Sequence, residues 1–139
     1  EDESVDAQRA VLYLSCLSCE IALKALLKRC GESDKKLKRI GHDLARLLKK
    51  VGKYRVKEEI AEDLLFWVPA KRLRAVTVDP RFANATVGSI LSAEQKGASK
   101  YPTRIRYGPL VKHFPAPMVL ETARIVLYWV RDHWDDIGS

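Results

Sequence analysis

The chain has 139 residues, 47% of them hydrophobic and 31% charged. That balance excludes intrinsic disorder and is enough for one domain, residues 1–139, with a core of its own. Seven Gly and six Pro are too few for a loop-rich all-β fold. The formal net charge of +7 is uneven: residues 28–57 carry twelve Lys/Arg against three acids, and residues 71–112 nine against two. Such clustering implies either attraction to a polyanion or a lysine-rich, solvated helix face.

A first helix is expected from about Ser4 to Cys30, capped by Ser4 or Asp6 and stopped by Gly31. Leu12, Cys16, Cys19, Leu23, Leu26 and Cys30 recur at four- and three-residue spacings, the stripe of a helix packed against neighbours. Glu20 and Lys24 border that stripe at i, i+4, a pair ordinarily worth a few tenths of a kcal/mol. A basic linker, Glu32 to Ile40, leads to a second helix from about His42 to Val51, with Asp43 or His42 meeting its first N–H groups. A third helix is expected over Val56–Trp67, with its acidic first half placed favourably on the helix dipole. Residues 70–78 suit a turn or short helix. Asp79-Pro80 would open a fourth helix reaching Gln95.

Residues 96–116 hold Gly97, Pro102, Gly108, Pro109 and Pro115, which predicts a long irregular segment, a common place for function. A last helix should run from Pro117 to Ile137, with Val119, Ala123, Val126, Val130 and Trp134 inward. Trp67, Trp129 and Trp134 are expected in the core or a dimer interface. The longest unbroken apolar run, Ile125 to Val130, is far short of the ~20 residues of a membrane span, and the acidic Glu1-Asp2-Glu3 start is unlike a signal peptide. Three cysteines cannot all pair with one another. With no second Cys or His pair nearby for zinc and no preceding strand for a redox CxxC, they suit small buried side chains in a reducing, cytoplasmic setting. The architecture expected is all-α, an up-and-down bundle of about four to five helices without strands.

The stretch Ser18-Cys19-Glu20-Ile21-Ala22-Leu23-Lys24-Ala25-Leu26-Leu27, followed by Gly41-His42-Asp43-Leu44-Ala45-Arg46-Leu47-Leu48, resembles the HEPN family. Members often show Glu-x-x-x-Lys-x-x-Leu in their first helix and Gly-His-Asp-Leu leading into the second. Arg106-Tyr107 is similar to a later feature of some members. The likeness covers the first fifty residues well and the remainder only by that dipeptide and helix order. It implies a helical bundle that dimerises. It also implies a role near RNA, nucleotides, a nucleotidyltransferase or a cognate antitoxin, in toxin–antitoxin or phage-defence systems.

Catalytic HEPN members cleave RNA without metal through an Arg followed four to six residues later by a His. The chemistry needs a group to activate the ribose 2′-hydroxyl and a cation for charge building on phosphate. Arg106 and His113, with six residues between them, are the pair that fits this pattern, although Gly108-Pro109 interrupts any helix carrying both. Arg104, Tyr107 and Tyr101, with Lys112, form a basic and aromatic group suited to holding phosphates while rings stack on bases. His42 has two readings: a helix lead-in residue bonded to a nearby backbone or carboxylate group, or a donor to phosphate at a helix N-terminus. No metal or cofactor is expected. There is no phosphate-cradling Gly-rich loop, no HExxH and no Gly-x-Ser-x-Gly elbow. The expectation is an RNA- or nucleotide-binding domain with metal-independent ribonuclease chemistry at Arg106 and His113. The alternative is a non-catalytic dimerisation or protein-interaction module.

Overall fold

The computed structural model describes residues 2–82, 84–94, 101–103 and 114–139. Helix α1 spans Asp2–Arg29 and ends where Gly31 takes a left-handed backbone, φ 99°. There Gly31 N–H donates to the Lys28 carbonyl and Glu32 N–H to that of Leu27, both at 3.0 Å. This is the paired closure that lets a helix stop without orphan carbonyls. The segment expected as a basic linker instead forms helix α2, Asp34–Ile40, capped by Ser33. It buries one residue, Leu37, so hydrophobic periodicity could not announce it. Helix α3, Leu44–Val51, follows with Asp43 as its cap and Leu44, Leu47, Leu48 and Val51 buried.

The expected third helix is a β-hairpin. Strand β1, Arg55–Ala61, pairs antiparallel with β2, Leu64–Pro69, through the turn Glu62-Asp63. A helix here would have stacked Glu58 on Glu62 and Glu59 on Asp63, two like-charge i, i+4 pairs. Val56, Ile60, Phe66, Trp67 and Val68 favour strand, and Asp63 accepts the left-handed turn position, φ 61°. The last helix, labelled α5 below, also ends sooner than expected. The freed chain returns as β3, Ile137–Gly138, against β1. The sheet order is therefore β2-β1-β3, and the protein is mostly helical with a three-stranded antiparallel sheet rather than all-α.

Residues Ala70–Ala75 form a 3₁₀ helix. Asp79 accepts from the backbone and side chain of Arg81, making a turn rather than the helix start expected at Asp79-Pro80. Helix α4 begins only at Val87 and runs to Ala93, with a capping box between Thr86 and Ser89. Gly88 tolerates no Cβ without crowding, since one would lie 3.1 Å from the Arg74 carbonyl oxygen. That is why a glycine sits inside a helix here.

Helix α5 spans Ala116–His133. It runs parallel to α1: Ala7 and Val11 share a hollow with Ala116 and Leu120. At the other end Arg29 bonds the Trp134 carbonyl at 2.6 Å and Asp135 at 2.7 Å, with its guanidinium over the Trp134 ring. The inward stripe of α1 (Leu12, Cys16, Cys19, Leu23, Leu26) meets Leu44, Leu47 and Leu48 of α3 and Val119, Ala123 and Val126 of α5 in one core. Over Val5–Arg29, α1 is long and apolar enough to cross a membrane, with half of its most apolar window buried inside the protein. Counting unbroken apolar runs misses this, because Ser15, Ser18 and Glu20 interrupt the run without much lowering its mean.

Trp67 is exposed on β2 rather than buried in a helix, with Lys57 over its ring. Ile60, Leu64, Leu65 and Phe66 are exposed beside it. Trp129 and Trp134 pack partly against the core. All three cysteines are free thiols, Cys16 and Cys19 buried and Cys30 half-buried.

Truncating Leu26, which is fully buried, should cost about 2–5 kcal/mol in urea unfolding as Leu26→Ala. Leu14→Ala, on the exposed side of the same helix, should stay within about 0.5 kcal/mol of the parent. Equal effects would contradict this placement of the core.

Candidate functional site

Glu20 lies on the border of the α1 stripe and is buried, 6% exposed. A carboxylate so placed is costly unless donors surround it. Three do. Lys24, one turn on, reaches Oε2 at 3.0 Å. His42, in the turn between α2 and α3, places Nδ1 2.8 Å from Oε1. Tyr101, buried beyond α4, donates its hydroxyl to the same oxygen. Burial pushes the Glu20 carboxyl up, but the bonds from Tyr101, His42 and Lys24 outweigh it and hold the group below its ordinary value. Tyr101 is pushed up in turn by its own burial and by that bond. Its ring stands edge-on to His42 at 6.1 Å and lies 5.9 Å from Tyr13.

His42 is thus bonded to a carboxylate across helices rather than aimed along an α3 N-terminus. The cap is Asp43, which accepts from Arg46 N–H at 3.1 Å.

Beside this cluster the chain concentrates positive charge. Lys36 and Arg39 of α2, Arg46, Lys49 and Lys50 of α3, and Lys53 just after it surround a depression of about 340 Å³ floored by Ile40. Glu32 answers part of that charge, 3.8 Å from Lys36 and 3.7 Å from Lys50. The Tyr54 hydroxyl donates to Glu32 at 2.6 Å, the largest influence keeping that carboxyl below its ordinary value. On the other flank of α2, Lys24, Lys28, Lys35 and Lys38 line a groove of about 650 Å³ against α1 together with Asp34, which pairs with Lys28 at 3.2 Å. A third basic hollow gathers Lys71, Arg72 and Arg74 opposite Thr86, Ser89 and Ser92.

Arg106, His113, Arg104, Tyr107 and Lys112 lie outside the described residues, as does most of the irregular segment expected over 96–116. The structure brings together the two remaining candidates, His42 and Tyr101, on Glu20. Sequence reasoning noted the Glu20–Lys24 pair but gave it only the value of a surface ion pair. The cations of the α2–α3 depression were seen as a basic segment without individual roles. Their signal was present: Lys36 and Arg39 are i, i+3, and Arg46, Lys49 and Lys50 are i, i+3 and i+4, one face of a helix. Among the described residues no cluster of His, Cys, Asp and Glu could hold a metal ion.

No family model, curated protein or solved structure matches the chain.

The depressed Glu20 carboxyl contributes stability above its unfolded pKa, about 4.3, and loses it as pH falls through the lower folded value. Glu20→Gln should therefore be less stable than the parent at pH 7 in urea unfolding. The gap should narrow below about pH 4. A gap independent of pH would show that the carboxylate's charge is not what the three donors hold.

Proposed function

We propose that this chain is a HEPN-like helical domain that binds RNA, or a nucleotide-bearing partner, through its α2–α3 basic face. The observation that carries the reading is the depression ringed by Lys36, Arg39, Arg46, Lys49, Lys50 and Lys53. Among the described residues only Glu32 offers these cations a carboxylate, and it reaches just two of them. So dense a set of like charges on two short helices repels itself, which a polyanion relieves by replacing condensed counterions. The Glu20-x-x-x-Lys24 and Gly41-His42-Asp43-Leu44 residues that carry the family resemblance lie directly beside this face. That supports one connected site rather than scattered surface charge. The reading includes a homodimer acting with a nucleotidyltransferase or antitoxin partner, and metal-independent cleavage at Arg106 and His113.

A protein-binding module is the second reading, favoured by one observation. On β2, the edge of the sheet, Leu64, Leu65, Phe66 and Trp67 are all exposed. An unpaired apolar edge of this kind invites another chain, here a second copy.

Salt separates the two. Fluorescence anisotropy with a single-stranded RNA should give an affinity falling steeply as salt rises, by about 0.7 in log–log slope for each phosphate contact. Replacing Arg39, Arg46, Lys49 and Lys53 together by Gln should weaken binding more than tenfold and flatten that slope. RNA affinity indifferent to both salt and these changes would leave the protein-binding module as the better account.

A further inference from the structure

The basic hollow between the 3₁₀ helix and α4 has no part in the reading above, yet it adjoins the α2–α3 depression. A 3₁₀ helix turns every three residues, so side chains at i and i+3 fall in one row. Ala70 and Leu73 form the inward row, both buried. Lys71 and Arg74 therefore form a second row, exposed and about 6 Å apart along the axis, with Arg72 exposed beside them. The Lys71 backbone packs on the end of α3: a Cβ on Gly52 would lie 3.2 Å from that of Lys71. Gly52 is one turn on from Lys49, so Lys49 stands on the flank of α3 that Lys71 covers. Lys49 is also a wall of the depression. The cations thus succeed one another from Lys36 and Arg39, over Lys49 and Lys53, to Lys71 and Arg74.

The far wall of the hollow carries hydroxyls, Thr86, Ser89 and Ser92, at three-residue spacing on α4. No acidic residue lines either this hollow or the depression, and Glu58 reaches Arg72 only at 3.9 Å. The α1–α2 groove differs, since its lining includes Asp34. An anionic strand leaving the depression therefore meets cations and hydroxyls toward the 3₁₀ helix, and a carboxylate toward α1.

We propose that this hollow is a second backbone-holding subsite, so that the ligand of the basic face is a single-stranded RNA segment spanning both hollows rather than a mononucleotide. The inference rests on the RNA-binding reading above and adds to it the path and length of the strand. Lys71, Arg72 and Arg74 hold phosphates, and the α4 hydroxyls meet ribose or phosphate oxygens. Contacts of this kind fix register and orientation and carry no base preference, so this subsite sets footprint rather than sequence. Following the path means crossing α3 from its α2 flank to its 3₁₀ flank. A single strand makes that bend readily; a duplex, with a persistence length of about 50 nm for DNA, does not.

The experiment measures binding of the whole chain to mixed-sequence single-stranded RNAs of about four and about sixteen nucleotides, lengths that bracket the footprints of single-strand-binding domains. Replacing Lys71, Arg72 and Arg74 together by Gln should weaken the longer RNA about tenfold or more and lower its log–log salt slope by about 2, while the short RNA stays within about twofold. All three side chains are exposed, so the urea midpoint should hold. A charge-matched control, Lys57→Gln with Arg124→Gln and Arg131→Gln, changes exposed cations of β1 and α5 outside both hollows. It should keep both affinities. Equal losses in the two triple variants would show net charge at work, and equal losses on the two RNAs would show the depression alone at work; either overturns the proposal. No loss on the longer RNA in the 3₁₀-helix variant also overturns it and leaves the α2–α3 reading intact. Failure of the parent to bind either RNA removes both.

Discussion

A carboxylate among leucines is the constraint from which the rest of this domain follows. Glu20 sits on the helix at the centre of the core, within two turns of Leu23, Leu26 and Leu27, each 0–1% exposed. Burying an ion there costs several kcal/mol unless the geometry around it is complete. Completion draws one donor from the next turn of the same helix, Lys24, and two from distant parts of the chain: His42 from the turn after α2 and Tyr101 from beyond α4. Meeting that requirement fixes the turn between α2 and α3 against α1. It thereby fixes where the cations of α2 and α3 point.

The proposed polyanion-binding role rests on the position of α2. This helix buries only Leu37, so most of its side chains are free to carry charge, and it lies between two basic hollows. Lys35 and Lys38 face the groove against α1, while Lys36 and Arg39 face the depression against α3. A short helix that packs only Leu37 and part of Ile40 against the core adds little to stability. Glu32 and Tyr54 tie the base of this ridge together, limiting self-repulsion without neutralising the face.

The core helices were legible because their signal is periodic. Leu12, Cys16, Cys19, Leu23 and Leu26 on α1, and Val119, Ala123, Val126 and Val130 on α5, repeat at helical spacing and are all buried. The hairpin was not legible, because only Val56 and Val68 of its two strands face inward. With so few buried positions, neither a two- nor a four-residue period stands out, and Ile60, Leu64 and Trp67 mimic a helical stripe by chance. Repulsion between Glu58 and Glu62 was the missed cue. The late start of α4 escaped for a related reason: Asp79-Pro80 and Thr86 both carry capping chemistry, and Asp79 spends its carboxylate on Arg81. At the site, the individual residues Glu20, Lys24, His42 and Tyr101 were all noticed. Their convergence was not, since Tyr101 lies 81 residues from Glu20 and no local spacing encodes that contact.

The most direct test of the account is a double-mutant cycle between Glu20→Gln and Tyr101→Phe, read by urea unfolding at neutral pH. If the buried carboxylate is held by that hydroxyl, each single change is destabilising. The double variant should then lose less than the two losses combined, with a coupling of about 1–3 kcal/mol as expected for a hydrogen bond to a charged group. Additive losses would mean that the two side chains act independently. The carboxylate would then not be what organises the basic face.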